Sequence, residues 1–121
     1  MQDSSDFKFP INVMKAMILS LLMLTTLSAA QSKRTFTGVV SDDMCPEGNH
    51  SRMRMGPTDA ECTIACVSIH DAKYELFAGK QTYALSDQKT PEKFAGKKVT
   101  VTGTLDAKTM TIQVDSIVAA K

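Results

Sequence analysis

Thiols, thioethers and imidazoles are concentrated in one stretch, Met44 to His70, which reads MCPEGNHSRMRMGPTDAECTIACVSIH and holds all 3 cysteines and both histidines. Cys62 and Cys66 stand at i and i+4, one helical turn apart if the segment is helical. Two thiolates so placed can share a metal ion, and soft Cys and Met donors select Cu(I), or Zn(II) when His joins them. Cys45, His50, Met53 and Met55 lie on the preceding loop. His70 follows Cys66 by another turn, rotated from it by about 40°. These seven residues are the candidate ligands. With the thiols reduced, the pattern predicts one Cu(I) held by Cys62 and Cys66, with Cys45 or a loop Met as third donor, because neither His shares the centre of that helix face.

A disulfide from Cys45 to Cys62 or Cys66 competes with the metal for the same sulfurs. It would tie loop to helix and leave the third Cys as a small buried hydrophobe. His50 and His70 then read as surface imidazoles, one on a loop and one at a helix end, and Met53 and Met55 as loop packing. The compartment puts the disulfide ahead.

That compartment is read from the N-terminal segment. From Met14 the chain runs MKAMILSLLMLTTLSAAQ, an apolar core from Ala16 to Leu24 followed by Ser28-Ala29-Ala30, small where a signal peptidase cuts. Residues 1–30 are expected to be a signal peptide, with Met14 as the true start, and residues 31–121 the mature domain. Ile18 to Leu27 is too short and too rich in Ser and Thr for the ~20 apolar residues of a membrane span. No Cys stands at the cleavage point for a lipid anchor. The expected location is periplasmic or secreted, where disulfides persist.

At 121 residues and a net charge of +1, the chain has room for one domain and no long-range attraction to nucleic acid or anionic membrane. Lys93, Lys97 and Lys98 read as a solvated edge. The enzyme classes are poorly served as well. No Cys-x-x-Cys of a redox catalyst is present, and nothing marks an oxyanion hole or substrate pocket beside a Cys–His pair.

The elements that must position the cysteines follow from pattern. Arg34 to Ser41 is a β-branched first strand, in which Gly38 marks a bulge or a close backbone approach. A polar loop, Asp42 to Pro57, leads to Thr58-Asp59-Ala60-Glu61, a capping box that starts a helix near Asp59, fading by His70. On that helix Ala60, Ile64 and Val67 form one apolar stripe, and Cys62, Cys66 and Ile69 another on the opposite side. The helix is therefore expected between the sheet and the loop. Lys73–Ala78 and Gln81–Ser86 read as a hairpin turning at Gly79-Lys80. Thr90 to Ala95 is a single helical turn with Pro91 at its start and Gly96 as its stop. Lys98–Leu105 and Thr109–Val118 alternate apolar and polar residues, as half-buried strands do.

Five such strands bury one face best by closing on themselves. The expected fold is mainly β: a small five-stranded OB-like barrel with one helix inserted between strands 1 and 2, after the signal peptide. The insert spans residues 42–71. An open β-sandwich with the helix as a lid is the runner-up. The segment TYALSDQKTPEKFAGKKVTVTGTL resembles the third strand, linking helix and fourth strand of small exported bacterial OB-like domains. With the TFTGVVSDDMC start, the Cys-x-x-x-Cys helix and the KYEL…TYALS hairpin, the chain resembles a family of short exported bacterial proteins of unknown function. The resemblance implies fold and export and brings no activity. The function expected is a non-enzymatic binding or structural module of the envelope with a disulfide-pinned loop–helix cap. Its partner would be an envelope protein or a small ligand. The alternative is a protein that binds or handles a soft metal, Cu(I) or Zn.

Overall fold

The computed structural model describes residues 10–12 and 31–121, and the chain divides into two units, residues 1–30 and 31–121. The expected signal peptide falls almost wholly outside the described residues. Among those described, no helix is long and apolar enough to cross a membrane.

The second unit is mainly β, with five strands and one α-helix: β1 (Arg34–Asp42), α1 (Asp59–His70), β2 (Tyr74–Ala78), β3 (Gln81–Leu85), a 3-10 turn (Thr90–Phe94), β4 (Lys98–Asp106) and β5 (Thr111–Ala119). Each strand pairs with two others, in the order β1-β2-β3-β5-β4 and back to β1. The open sandwich therefore does not form. β1 serves both ends of this ring, since Arg34–Val39 pairs with β4 and Val39–Asp42 with β2. Gly38 sits where β1 changes partners, and a Cβ there would collide with the backbone of Phe77 and Ala78. It is a close approach and not a bulge.

The bulge lies in the β4–β5 ladder, where Thr102 pairs with Ser116 but Gly103 pairs with Val114, leaving Asp115 unpaired. Ile112 and Ile117 are both buried although they stand five positions apart, an offset that strict alternation would place on opposite faces. The extra residue resets the alternation. The core this encloses is Val40, Tyr74, Leu76, Leu85, Ala95, Val99, Val101, Ile112 and Ile117.

α1 packs on this core through Ile64 and Val67. Its opposite side carries Cys62 and Cys66, which form a second buried cluster with Ala72, covered by Met55. The helix is sandwiched as expected, but Ile69 is 67% exposed and does not extend the cysteine stripe. The reason is the helix end: Asp71 takes a left-handed conformation (φ 55°) and the Ala72 N–H bonds to the Cys66 carbonyl at 3.2 Å. The chain turns away to β2, and the loop covers only the earlier turns. At its other end α1 starts against Gly96 (φ 70°), where a Cβ would press on the Ala60 backbone at 2.9 Å.

Candidate functional site

Asp42, the last residue of β1, folds the start of the loop around its own carboxylate. Its Oδ1 accepts hydrogen bonds from the Met44 N–H at 3.1 Å and the Cys45 N–H at 3.0 Å. The Ser41 hydroxyl donates to the Cys45 carbonyl. This turn holds Cys45 beside the strand end, 9% exposed. Asp42 itself is fully buried.

His50 is not a surface imidazole. It is 3% exposed, with Nδ1 at 3.1 Å from Asp59 Oδ1 and Nε2 at 3.7 Å from Asp42 Oδ2. Two carboxylates, one ending β1 and one opening α1, draw the ring inward and fasten the loop to both elements. The Nδ1 contact is a hydrogen bond; the Nε2 contact is too long to be one. Asp42 Oδ2 and His50 Nε2 are thus both buried without a hydrogen-bond partner, as is the Thr63 hydroxyl on the buried face of α1.

Cys62 and Cys66 are fully buried on α1. The Cys62 sulfur accepts the Met55 N–H at 3.2 Å and donates towards the Met53 carbonyl at 3.6 Å. Burial pushes the Cys66 thiol up to about 11, helped by the Asp42 carboxylate and then by Cys62 and Cys45. Burial, Asp42 and Cys62 raise Cys45 in the same order of importance. These mutual effects place the three thiols and Asp42 in one neighbourhood. At neutral pH the raised thiols of Cys45 and Cys66 stay protonated and are poor nucleophiles.

All three cysteines are free thiols, so the expected bond from Cys45 to Cys62 or Cys66 is not formed. Among the described residues, no three Cys, His, Asp or Glu side chains are placed together so as to hold a metal ion. Of the other candidates, Met55 packs on the cysteines, whereas Met53 is 45% exposed and His70 lies exposed on the last turn of α1. Outside Cys45 a cavity of about 350 Å³ opens in the loop, lined also by Met44, Pro46, Glu47, Asn49 and Arg52.

Sequence reasoning overlooked Asp42 and Asp59. A signal for each was present: Asp42 opens the polar loop two residues before Met44, whose N–H is the one that an Asx turn uses, and Asp59 follows the helix cap. Compared with models of known protein families, with curated proteins and with solved structures, the chain matches none.

Proposed function

We propose that this protein is an exported, non-enzymatic module of the cell envelope, an OB-like barrel whose loop–helix cap is fastened by its cysteines. The observation that carries the reading is the burial of Cys45, Cys62 and Cys66 together where β1, the loop and α1 meet. Thiols so protected serve structure better than catalysis, and in an oxidising compartment Cys45 pairs with Cys62 or Cys66. Such a staple in a chain of this size contributes about 2–4 kcal/mol. The OB-like reading is supported by the strand order and by β3 running parallel to β5. Export is supported by the Ala16–Leu24 run and the small residues before Gln31. The net charge of +1 makes a protein or small ligand a better partner than nucleic acid.

Counting thiols in unfolded but unreduced protein tests the cap. One reactive thiol per chain is the expected result, and three would overturn the staple. Intact mass of secreted or periplasmic protein tests export: a mature chain starting at Gln31 is expected, and retention of Ile18 to Leu27 would refute it.

A further inference from the structure

The loop between β1 and α1 is held at several points and carries a cavity among them. Asp42 accepts the N–H groups of Met44 and Cys45, the Gly48 N–H bonds to the Cys45 carbonyl at 2.8 Å with Gly48 in a left-handed conformation (φ 69°), and buried His50 meets Asp59 at 3.1 Å. The backbone from Met44 to His50 is therefore set before any ligand arrives. The cavity of about 350 Å³ that this stretch lines together with Arg52 is at the small end of ligand sites, about 300–1,000 Å³. Its walls are of two kinds. Met44 and Pro46 supply apolar surface beside Cys45, whereas Glu47, Asn49 and Arg52 supply polar groups. Glu47 and Arg52 carry opposite charges, yet they do not pair with each other, and among the described residues neither has another ion-pair partner. Arg54, two residues on, is by contrast tied to the Pro57 carbonyl at 2.9 Å. Asn49 Oδ1 accepts the Ser51 N–H at 3.1 Å, which leaves the side-chain NH2 of Asn49 to donate.

We propose that this cavity binds a small zwitterion, an apolar α-amino acid, with its ammonium at Glu47, its carboxylate at Arg52 and its side chain against Met44 and Pro46. A simple anion is repelled by Glu47 and a simple cation by Arg52, whereas a molecule with one charge of each sign satisfies both. The guanidinium offers a carboxylate two parallel N–H donors, and charge-assisted bonds of this kind are about twice as strong as neutral ones. Asn49 adds a further donor to the same cavity. The thioether of Met44 is unbranched and adapts to apolar groups of different shape, so the site selects the charged ends more strictly than the side chain. Cys45 is part of the wall and forms no bond with the ligand. This site goes beyond the envelope reading and needs neither export nor the staple to be correct, since the loop that builds it is the one with all three thiols free.

The test is titration of the reduced, isotope-labelled full chain with L-leucine, read from backbone amide NMR shifts and repeated with N-acetyl-L-leucine and L-leucinamide, each of which lacks one of the two charges. Saturable shifts centred on residues 44–52 are expected, with both blocked compounds binding tenfold or more weakly. Glu47→Gln should abolish the preference for leucine over N-acetyl-leucine and keep that over leucinamide, and Arg52→Gln should do the reverse. Both residues are exposed, so neither change puts folding at stake. Absence of saturable shifts at millimolar leucine would overturn the proposal, as would equal binding of the three compounds or unchanged preferences in the two variants. Thiol counting, which tests the staple, is independent of all these outcomes.

Discussion

Gln88 does more for the ring than its position in a connecting loop suggests. Its Oε1 accepts the Tyr74 N–H at 2.8 Å, and its Nε2 donates to the carbonyls of Tyr74 (3.0 Å) and Leu85 (2.9 Å). One side chain thus stands in for a strand at the start of β2, where Tyr74 is 3% exposed. Gln88→Ala should cost about 2 kcal/mol in urea denaturation, because buried backbone groups lose their partner. A loss below about 0.5 kcal/mol would show that water replaces the amide. One residue earlier, Asp87 Oδ1 accepts the N–H groups of Lys89 (2.9 Å) and Thr90 (3.0 Å) and starts the 3-10 turn. The Thr90 side chain chiefly, with these N–H groups, holds the Asp87 carboxyl below its ordinary value of 3.8, against the opposing effect of burial. A lowered native pKa means that the unfolded chain binds the proton first. The contribution of Asp87 is therefore full above that ordinary value and is lost as pH falls through the lowered one. Asp87→Ala should cost about 1 kcal/mol at neutral pH, and denaturation curves of variant and wild type should converge in acid.

Helix α1 is the element whose anchoring decides whether the cysteines are presented at all. Its 12 residues are too few to be stable alone. Thr58 caps it: Oγ1 accepts the Glu61 N–H at 3.2 Å and donates to Glu61 Oε2 at 2.8 Å, so the carboxylate meets the hydroxyl. Thr58→Ala should destabilise by about 1 kcal/mol and Thr58→Ser by far less, read from thermal melting. That cap was legible in the sequence because Thr-x-x-Glu is a local rule, and it placed the helix start at Asp59. The strands were legible for a similar reason: period-2 alternation in Val99-Thr100-Val101-Thr102 needs no knowledge of distant partners. His50 was misread because its burial depends on carboxylates 8 residues upstream and 9 downstream in the chain, brought together only by the fold. The bulge at Asp115 was also hidden, since ladder registers are pairwise and leave no mark on one strand alone.

At the scale of the whole molecule, all five strands, their buried core and the helix lie within residues 31–121. The fragment Gln31–Lys121 should therefore fold by itself, with a melting temperature within a few degrees of that of the full 121-residue chain. Failure to fold would mean that the preceding 30 residues take part in the core. Closure of the ring is uneven. β4 and β5 share a ladder from Val99 to Asp106, whereas β3 and β5 meet only at Ala84–Thr111 and Leu85–Ile112, in parallel. That short contact makes the ring a clasp: it can open without the rest of the sheet coming apart. Ala84 and Ser86, whose N–H groups bond to the Met110 and Ile112 carbonyls, should exchange their amide hydrogens well before those of the β1–β4 ladder. Each opening exposes two unpaired strand edges, so a second copy at high concentration can supply the missing strand. Strand exchange between concentrated copies is therefore expected at β3 and β5 before any other pair of strands.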